Sequence, residues 1–393
     1  MITERLYYTD PYLIEFEAQA LEVAPDGLQV YLDRTAFYPT SGGQPFDLGL
    51  LAGCELVEVI DEGERILHRT SVPVAPGPMR GQINWPRRYD HMQQHTGQHL
   101  LSAVMVELYG FETLSFHMGD EVSTIELAIK ELSENQIDKA EERANALARN
   151  GLPVRISFED AAKVEGLRKQ SQRSGTLRII EIEGVDKSAC GGTHVRSLAE
   201  TLPIQIRKLE KVRGNVRLEF VCGWRATRRA KHDFRIAQEL ARQSAMPIDK
   251  LAEHFAAQKQ RFNEIEKEKQ RLADSLAQRE GQDLYAATEP SPDGLRRNRW
   301  DVDQITEAIR SKALAYAKGT KSVVLVVSKQ PTGLLIACSA DAGLNAGEVL
   351  KKIVSELGGR GGGAATLAQG AVPAEAYDRL SVGQPLLEWF GRC

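Results

Sequence analysis

His95-Thr96-Gly97-Gln98-His99 and, much further along the chain, Cys190-Gly191-Gly192-Thr193-His194 carry the side chains best suited to chemistry. Two histidines four apart point from one face of a helix, and Cys and His four apart across a glycine turn can close on the same ion. The set offers three imidazole nitrogens and a thiolate, which suits one Zn2+ ion per chain held by His95, His99, Cys190 and His194. A zinc peptidase would need a glutamate directly after the first histidine as general base; Thr96 stands there instead, so that chemistry lacks its proton acceptor. Four protein ligands fill a tetrahedral shell, as in structural sites, whereas a catalytic zinc keeps a position open. Three alternatives therefore stand: the shell expands to take a substrate amine or a water, one ligand releases, or the ion only orders the pocket.

Positioning these residues requires a helix, and Arg88 to Gln94 with Leu100-Leu101 supply an amphipathic pattern around the histidines. The wider chain reads as an α+β multidomain protein in four sections. Residues 1–85 alternate short apolar and polar runs with glycine and proline between them, the pattern of a small β-barrel, with Thr40-Ser41-Gly42-Gly43 as a loop within it. Residues 86–224 mix helices and strands into an α+β core that contains the ligand set. Residues 225–285 predict a helical arm broken at Met246-Pro247. Phe255, Phe262, Ile265, Leu272 and Leu276 form an imperfect coiled-coil seam there, interrupted by Gln258, Lys269 and Arg279. Residues 286–393 predict a small α/β domain. Its run Gly358 to Gly363 follows a helix, one glycine capping it and the others letting backbone amides approach a phosphate or sugar; the alternative is a mobile loop.

With 393 residues, 42% hydrophobic and 26% charged, the chain has ample core for several domains and nothing that suggests disorder. Five scattered cysteines argue against a disulfide scaffold and for a reducing, cytoplasmic setting. The strongest apolar run, Val323 to Val327, is too short to span a bilayer, so no membrane association is expected. A net charge of −4 gives no global attraction to nucleic acid. Between Ile204 and Arg235, however, ten Lys or Arg stand against three acids, a stretch that either meets phosphate or forms a solvated face.

His95 to Leu101 and Ser188 to Val195 resemble the editing domain shared by alanyl- and threonyl-tRNA synthetases and the stand-alone alanyl-tRNA editing proteins. Leu32 to Gly49, with its Thr40-Ser41-Gly42-Gly43-Gln44 core, is similar to the glycine-rich segment that precedes editing in the alanyl branch. Gly358 to Gly370 resembles the terminal tRNA-binding domain of alanyl-tRNA synthetase. The resemblance is strongest to the long stand-alone form. It implies a trans-editing hydrolase that deacylates alanine tRNA mischarged with serine, with glycine as a second candidate substrate. On that reading tRNA is the partner, contacted by Gly359, Arg360, Gly361, Gly362 and Gly363. A homodimer through the helical arm or the C-terminal domain is a further expectation.

An aminoacyl ester is already reactive, so such a site mainly has to hold the end of the RNA, place a water and stabilise the oxyanion. Gly42 and Gly43, lacking Cβ, would let main chain lie against the aminoacyl group, and the Gln44 amide would serve the carbonyl or the water as the catalytic group. Thr35 and Thr40 are hydroxyl candidates for recognising a serine side chain. The alternative from another class is a zinc-stabilised RNA-binding module without hydrolytic activity. Such a module would keep the closed ligand set but would not need Gly42-Gly43-Gln44 facing a pocket.

Overall fold

In the computed structural model, residues 2–381 are described, so Cys393 and the end of the section expected over 286–393 lie outside the described residues. The chain divides into two compact units, with the boundary in the sequence at Leu240/Ala241.

The first unit begins with a closed six-stranded antiparallel barrel. Its strands run in the order Glu15–Val23, Gln29–Leu32, Ile66–Thr70, Cys54–Asp61, Gly49–Leu51 and Pro78–Ile83. Alternation sends Val30 and Leu32 into its interior beside Ile66, and a bulge between Leu56 and Glu58 lets both Leu56 and Val59 face inward. Helix α1 (Trp85–Tyr109) follows, started by the Asn84 side chain, which accepts from the Arg87 N–H, and ended by Gly110 in the left-handed region. The expected amphipathic pattern is not what α1 shows. From His91 to Met105 every residue is buried, because the helix is enclosed by core on one side and by the ligand site on the other.

Around α1 stand two antiparallel sheets. One has the order Ile204–Val212, Asn215–Cys222, Ser123–Leu127, Thr113–Met118; the other Val154–Asp160, Thr176–Ile182, Asp186–Ala189. Helix α2 (Glu134–Arg149) opens on a capping box between Ser133 and Gln136 and packs Ala140, Ala144 and Leu147 into the same core as Leu100 and Leu101 of α1. Gly97 lets α1 approach its neighbouring strand: a Cβ there would lie 2.2 Å from the Cys222 sulfur.

Barrel and core are locked by one buried charge pair. Arg88 of α1 and Asp47 of the barrel are 0% and 1% exposed, with the guanidinium Nε donating to both carboxylate oxygens at 3.0 Å and Nη1 to the Pro11 carbonyl at 2.9 Å. Arg88→Ala leaves that carboxylate buried without its cation and is expected to cost about 3–5 kcal/mol. Urea unfolding checks this; a loss below 1 kcal/mol would show that the pair does not join the two parts.

The basic stretch after Ile204 is largely neutralised. Seven of its ten cations, Arg207, Lys208, Lys211, Arg217, Arg225, Arg228 and Arg229, lie within 4.0 Å of a carboxylate. It extends into α3 (Gly223–Ser244).

In the second unit, α4 (Leu251–Ala287) is not a free arm throughout. Gly281 brings its C-terminal half against α5 (Glu307–Ala317), where a Cβ would meet the Lys312 carbonyl oxygen at 2.3 Å. A five-stranded sheet follows in the order Arg296–Val302, Ser322–Lys329, Thr332–Cys338, Leu367–Ala371, Arg360–Gly363; only the first pair is parallel. The run Val323 to Val327 is apolar without alternation because both faces of the sheet are covered. Val323, Leu325 and Val327 pack towards α6 (Ala346–Glu356), while Val324 and Val326 pack towards α5.

In the glycine run Gly358 caps the turn after α6 at φ +72°, as expected, and Arg360–Gly363 is an edge strand, which sets aside the mobile-loop alternative. It pairs so closely that a Cβ on Gly361 would lie 2.5 Å from Gly370 Cα, and one on Gly363 would lie 2.3 Å from the Leu367 carbonyl oxygen. No helix among the described residues is long and apolar enough to cross a membrane.

Candidate active site

One turn apart on α1, His95 and His99 face Cys190 and His194, which flank the glycine turn after the strand Asp186–Ala189. The four donor atoms lie within 4.8 Å of one another. The Cys190 sulfur is 3.5 Å from His95 Nε2 and 3.4 Å from His194 Nε2. Zinc–sulfur and zinc–nitrogen bonds of about 2.3 and 2.0–2.1 Å in a tetrahedron put S and N roughly 3.5 Å apart, so these spacings fit a zinc ion. Gly192 is required by the same closeness, since a Cβ would sit 2.1 Å from His95 Cε1.

Each imidazole is held from behind by its other nitrogen. His95 Nδ1 lies 2.8 Å from Gln44 Oε1, His99 Nδ1 lies 2.8 Å from Asp186 Oδ2, and His194 Nδ1 lies 3.1 Å from Thr96 Oγ1. With Nδ1–H donated to these oxygens, all three Nε2 lone pairs are left for an ion, the usual arrangement of metal-binding histidines. The Asp186 carboxylate also accepts from Arg168 Nε at 2.6 Å and from Ser188 Oγ at 2.9 Å.

The electrostatics favour an anionic sulfur. Burial raises the Cys190 thiol, but the His95 and His194 rings outweigh it and hold the group well below the ordinary thiol range. Burial lowers His99, yet Asp186 and Cys190 together bring it up to about 9. His194, pressed by burial and by His95, falls to about 3.

Gln44 reaches the site through its glycines. Ser41 and Gln44 close a two-residue turn, with backbone bonds of 3.1 and 2.9 Å, and both central glycines have positive φ, +55° and +83°. That is the type I′ signature, which glycine adopts without strain. Gly43 also packs against the Phe116 carbonyl oxygen, where a Cβ would come to 2.5 Å. Gln44 itself is wholly buried, donating Nε2–H to Thr193 Oγ1 at 2.8 Å and accepting from Thr193 N at 3.1 Å. Its amide therefore stands behind His95 instead of facing a substrate carbonyl, and the expected catalytic role becomes a positioning one.

A cleft of about 890 Å³ opens in front of the cluster, lined in part by Tyr8, Tyr38, Gly42, Phe116, Arg178 and Gly192. Gly42 is thus on the cleft wall, as expected. The two threonines are not. Thr35 is buried in the barrel, its hydroxyl 2.9 Å from His68 Nε2, and Thr40 is exposed with Oγ1 accepting from Phe46 N. In the second unit, Arg360 and Gly362 line a separate groove of about 560 Å³ with Arg310 and Gln369. Gly361 and Gly363 lie on the opposite face of that strand, and Gly359 is packed so closely that a Cβ there would lie 2.3 Å from the Ala371 carbonyl oxygen.

Sequence reasoning passed over Asp186, Arg168 and Arg178. The available signal was Asp186-Lys187-Ser188, whose alternation puts a carboxylate and a hydroxyl on the same buried strand face beside the Cys motif. Asp186→Asn keeps the shape and removes the charge. Zinc affinity is expected to drop about 10- to 100-fold, which chelator competition reads directly; an unaltered affinity would remove Asp186 from the site.

The model for the threonyl and alanyl tRNA synthetase second additional domain matches residues 177–219, and that for the DHHA1 domain matches residues 295–382. The chain is 31% identical to the alanyl-tRNA editing protein AlaX-L of Pyrococcus horikoshii over 96% of this chain and 97% of that protein. It is 34% identical to the alanyl-tRNA editing protein Aarsd1-B of Xenopus laevis over 58% of each chain. Against the alanine–tRNA ligase of Pyrococcus abyssi the identity is 30% over 94% of this chain, which spans 42% of the ligase. Among solved structures, the C-Ala domain of Aquifex aeolicus alanyl-tRNA synthetase aligns at 24% identity with a TM-score of 0.22, covering 26% of this chain and 96% of that one.

Proposed function

Because the chain belongs to the family of alanyl-tRNA editing proteins, we propose that it hydrolyses the ester of alanine tRNA mischarged with serine, or with glycine, in trans. The observation that carries this reading is the cluster of three buried histidines and one half-buried cysteine opening directly onto a cleft large enough for the end of an RNA.

His95, His99, Cys190 and His194 would hold zinc, which when bound supplies a Lewis acid for a carbonyl oxygen, a water or an amine. Chain residues do the remaining work. Gln44, Asp186 and Thr96 fix the three rings so that the donor set does not reorganise during reaction. Gly42 leaves the wall open, with no heavy atom within 4 Å of where its Cβ would stand, and the aminoacyl group lies against it. The ester needs no protein nucleophile; orientation and exclusion of bulk water suffice.

Arg360 and Gly362, on the exposed face of the edge strand, together with Arg310 form the tRNA contact of the second unit in this reading, through phosphate charge and close backbone approach. A homodimer belongs to it as well: Phe262, Ile265, Leu272 and Leu276 are 54–63% exposed along α4, a seam that a second copy would bury.

Incubating the purified chain with seryl-charged alanine tRNA, before and after zinc is removed and restored, tests the proposal. Release of serine that stops on stripping and returns on restoration is the expected result. Tight RNA binding with no release at either stage would favour the non-hydrolytic binding module.

A further inference from the structure

Phe158, on the strand Val154–Asp160, lines the cleft and is 48% exposed, an apolar ring in a largely polar setting. Its partner across the antiparallel pair is Arg178. The two side chains therefore stand on one face of the sheet, their Cβ atoms about 5 Å apart. Arg178 is 7% exposed and is anchored by Nε to the Tyr8 carbonyl at 2.9 Å and by Nη1 to the carbonyls of Cys190 and Gly192 at 2.7 and 2.9 Å. Its Nη2 is buried and has no acceptor. A buried guanidinium N–H left unpaired is costly, and a ligand oxygen or ring nitrogen would satisfy it. The segment 161–175 adds Lys169 and Arg173 to the same cleft, and neither forms an ion pair among the described residues.

We infer that Phe158 is a stacking platform for an unpaired nucleobase, that of the nucleoside carrying the aminoacyl ester. The inference rests on the editing reading above and names how the RNA end is held. Every base offers a π-face, so an exposed aromatic ring in a cationic cleft recognises single-stranded ends without needing sequence. Phe158 is separated from the Cys190 carbonyl only by Arg178, which puts the ribose of a stacked nucleoside next to the ligand set. Lys169 and Arg173 then meet the adjoining phosphates. A protein or lipid partner would call for a contiguous exposed apolar patch; of the rings along this cleft Tyr38 is buried, Tyr8 and Phe116 are half-buried, and the exposed Phe158 is accompanied by Arg168, Lys169 and Arg173.

Calorimetric titration of the full chain with a non-hydrolysable seryl-adenosine amide provides the test. Phe158→Ala should weaken binding roughly five- to hundredfold, Phe158→Trp should stay within about twofold of the unaltered chain, and zinc content should match in all three. The same amide with its base removed should bind the alanine variant as well as the unaltered chain. Unchanged binding by Phe158→Ala, a tryptophan variant as weak as the alanine one, or an equal loss with the base-free compound would each overturn the inference. Binding that follows the expected pattern in a protein that releases no serine from charged tRNA would count against the editing reading alone.

Discussion

Cys190→Ala is expected to purify with almost no zinc and to lose at least about a hundredfold in deacylation, beyond the range seen when only a supporting residue of a metal site is changed. The sulfur is the one anionic donor in the cluster, held below its usual pKa range by two imidazoles despite the desolvation that opposes its charge. Removing it leaves three neutral nitrogens, which bind zinc more weakly and without neutralising its charge. The fold should persist, because α1 remains enclosed by the shared core and by the Arg88–Asp47 pair. Elemental analysis and circular dichroism on one sample separate the two effects. A folded variant with a full equivalent of zinc would exclude Cys190 as a ligand.

A chain ending at Ser244 is expected to keep the chemistry and lose the grip. The cluster, the cleft and Gln44 all lie in the unit that ends at Leu240, whereas Arg310, Arg360 and Gly362 lie in the other. Two linked contacts on one RNA raise affinity through effective concentration, so the shortened chain should show a KM for seryl-tRNA raised roughly 10- to 100-fold with kcat little changed. Mass in solution must be measured in parallel. Loss of a dimer at unchanged KM would assign the second unit to assembly and not to RNA.

How much of this was legible varied with the range of the interaction. The ligand set was readable because helix periodicity and a glycine turn are local. The barrel strands were readable from alternation. What was not readable depended on partners distant in the chain. Gln44 looked substrate-facing because nothing local reveals that Thr193 and His95 occupy its amide. Thr35 looked available because its partner, His68, lies across the barrel. The strand at Arg360–Gly363 was not legible because glycine has low strand propensity; only the close approach of Leu367–Ala371 explains why a strand there requires it. The polar residues of α1 suggested a solvated face, whereas Gln93, Gln94 and His99 are buried and satisfied by the Glu200 carbonyl, by the backbone of Cys222 and by Asp186.

Editing is a difference between two rates, and the most direct measurement is single-turnover deacylation, at saturating protein, of one alanine tRNA charged in parallel with serine and with alanine. The account predicts that the seryl ester is cleaved at least about tenfold faster than the alanyl ester, a discrimination of about 1.4 kcal/mol or more. Equal rates for the two esters, or no cleavage of either by zinc-loaded protein, would contradict it.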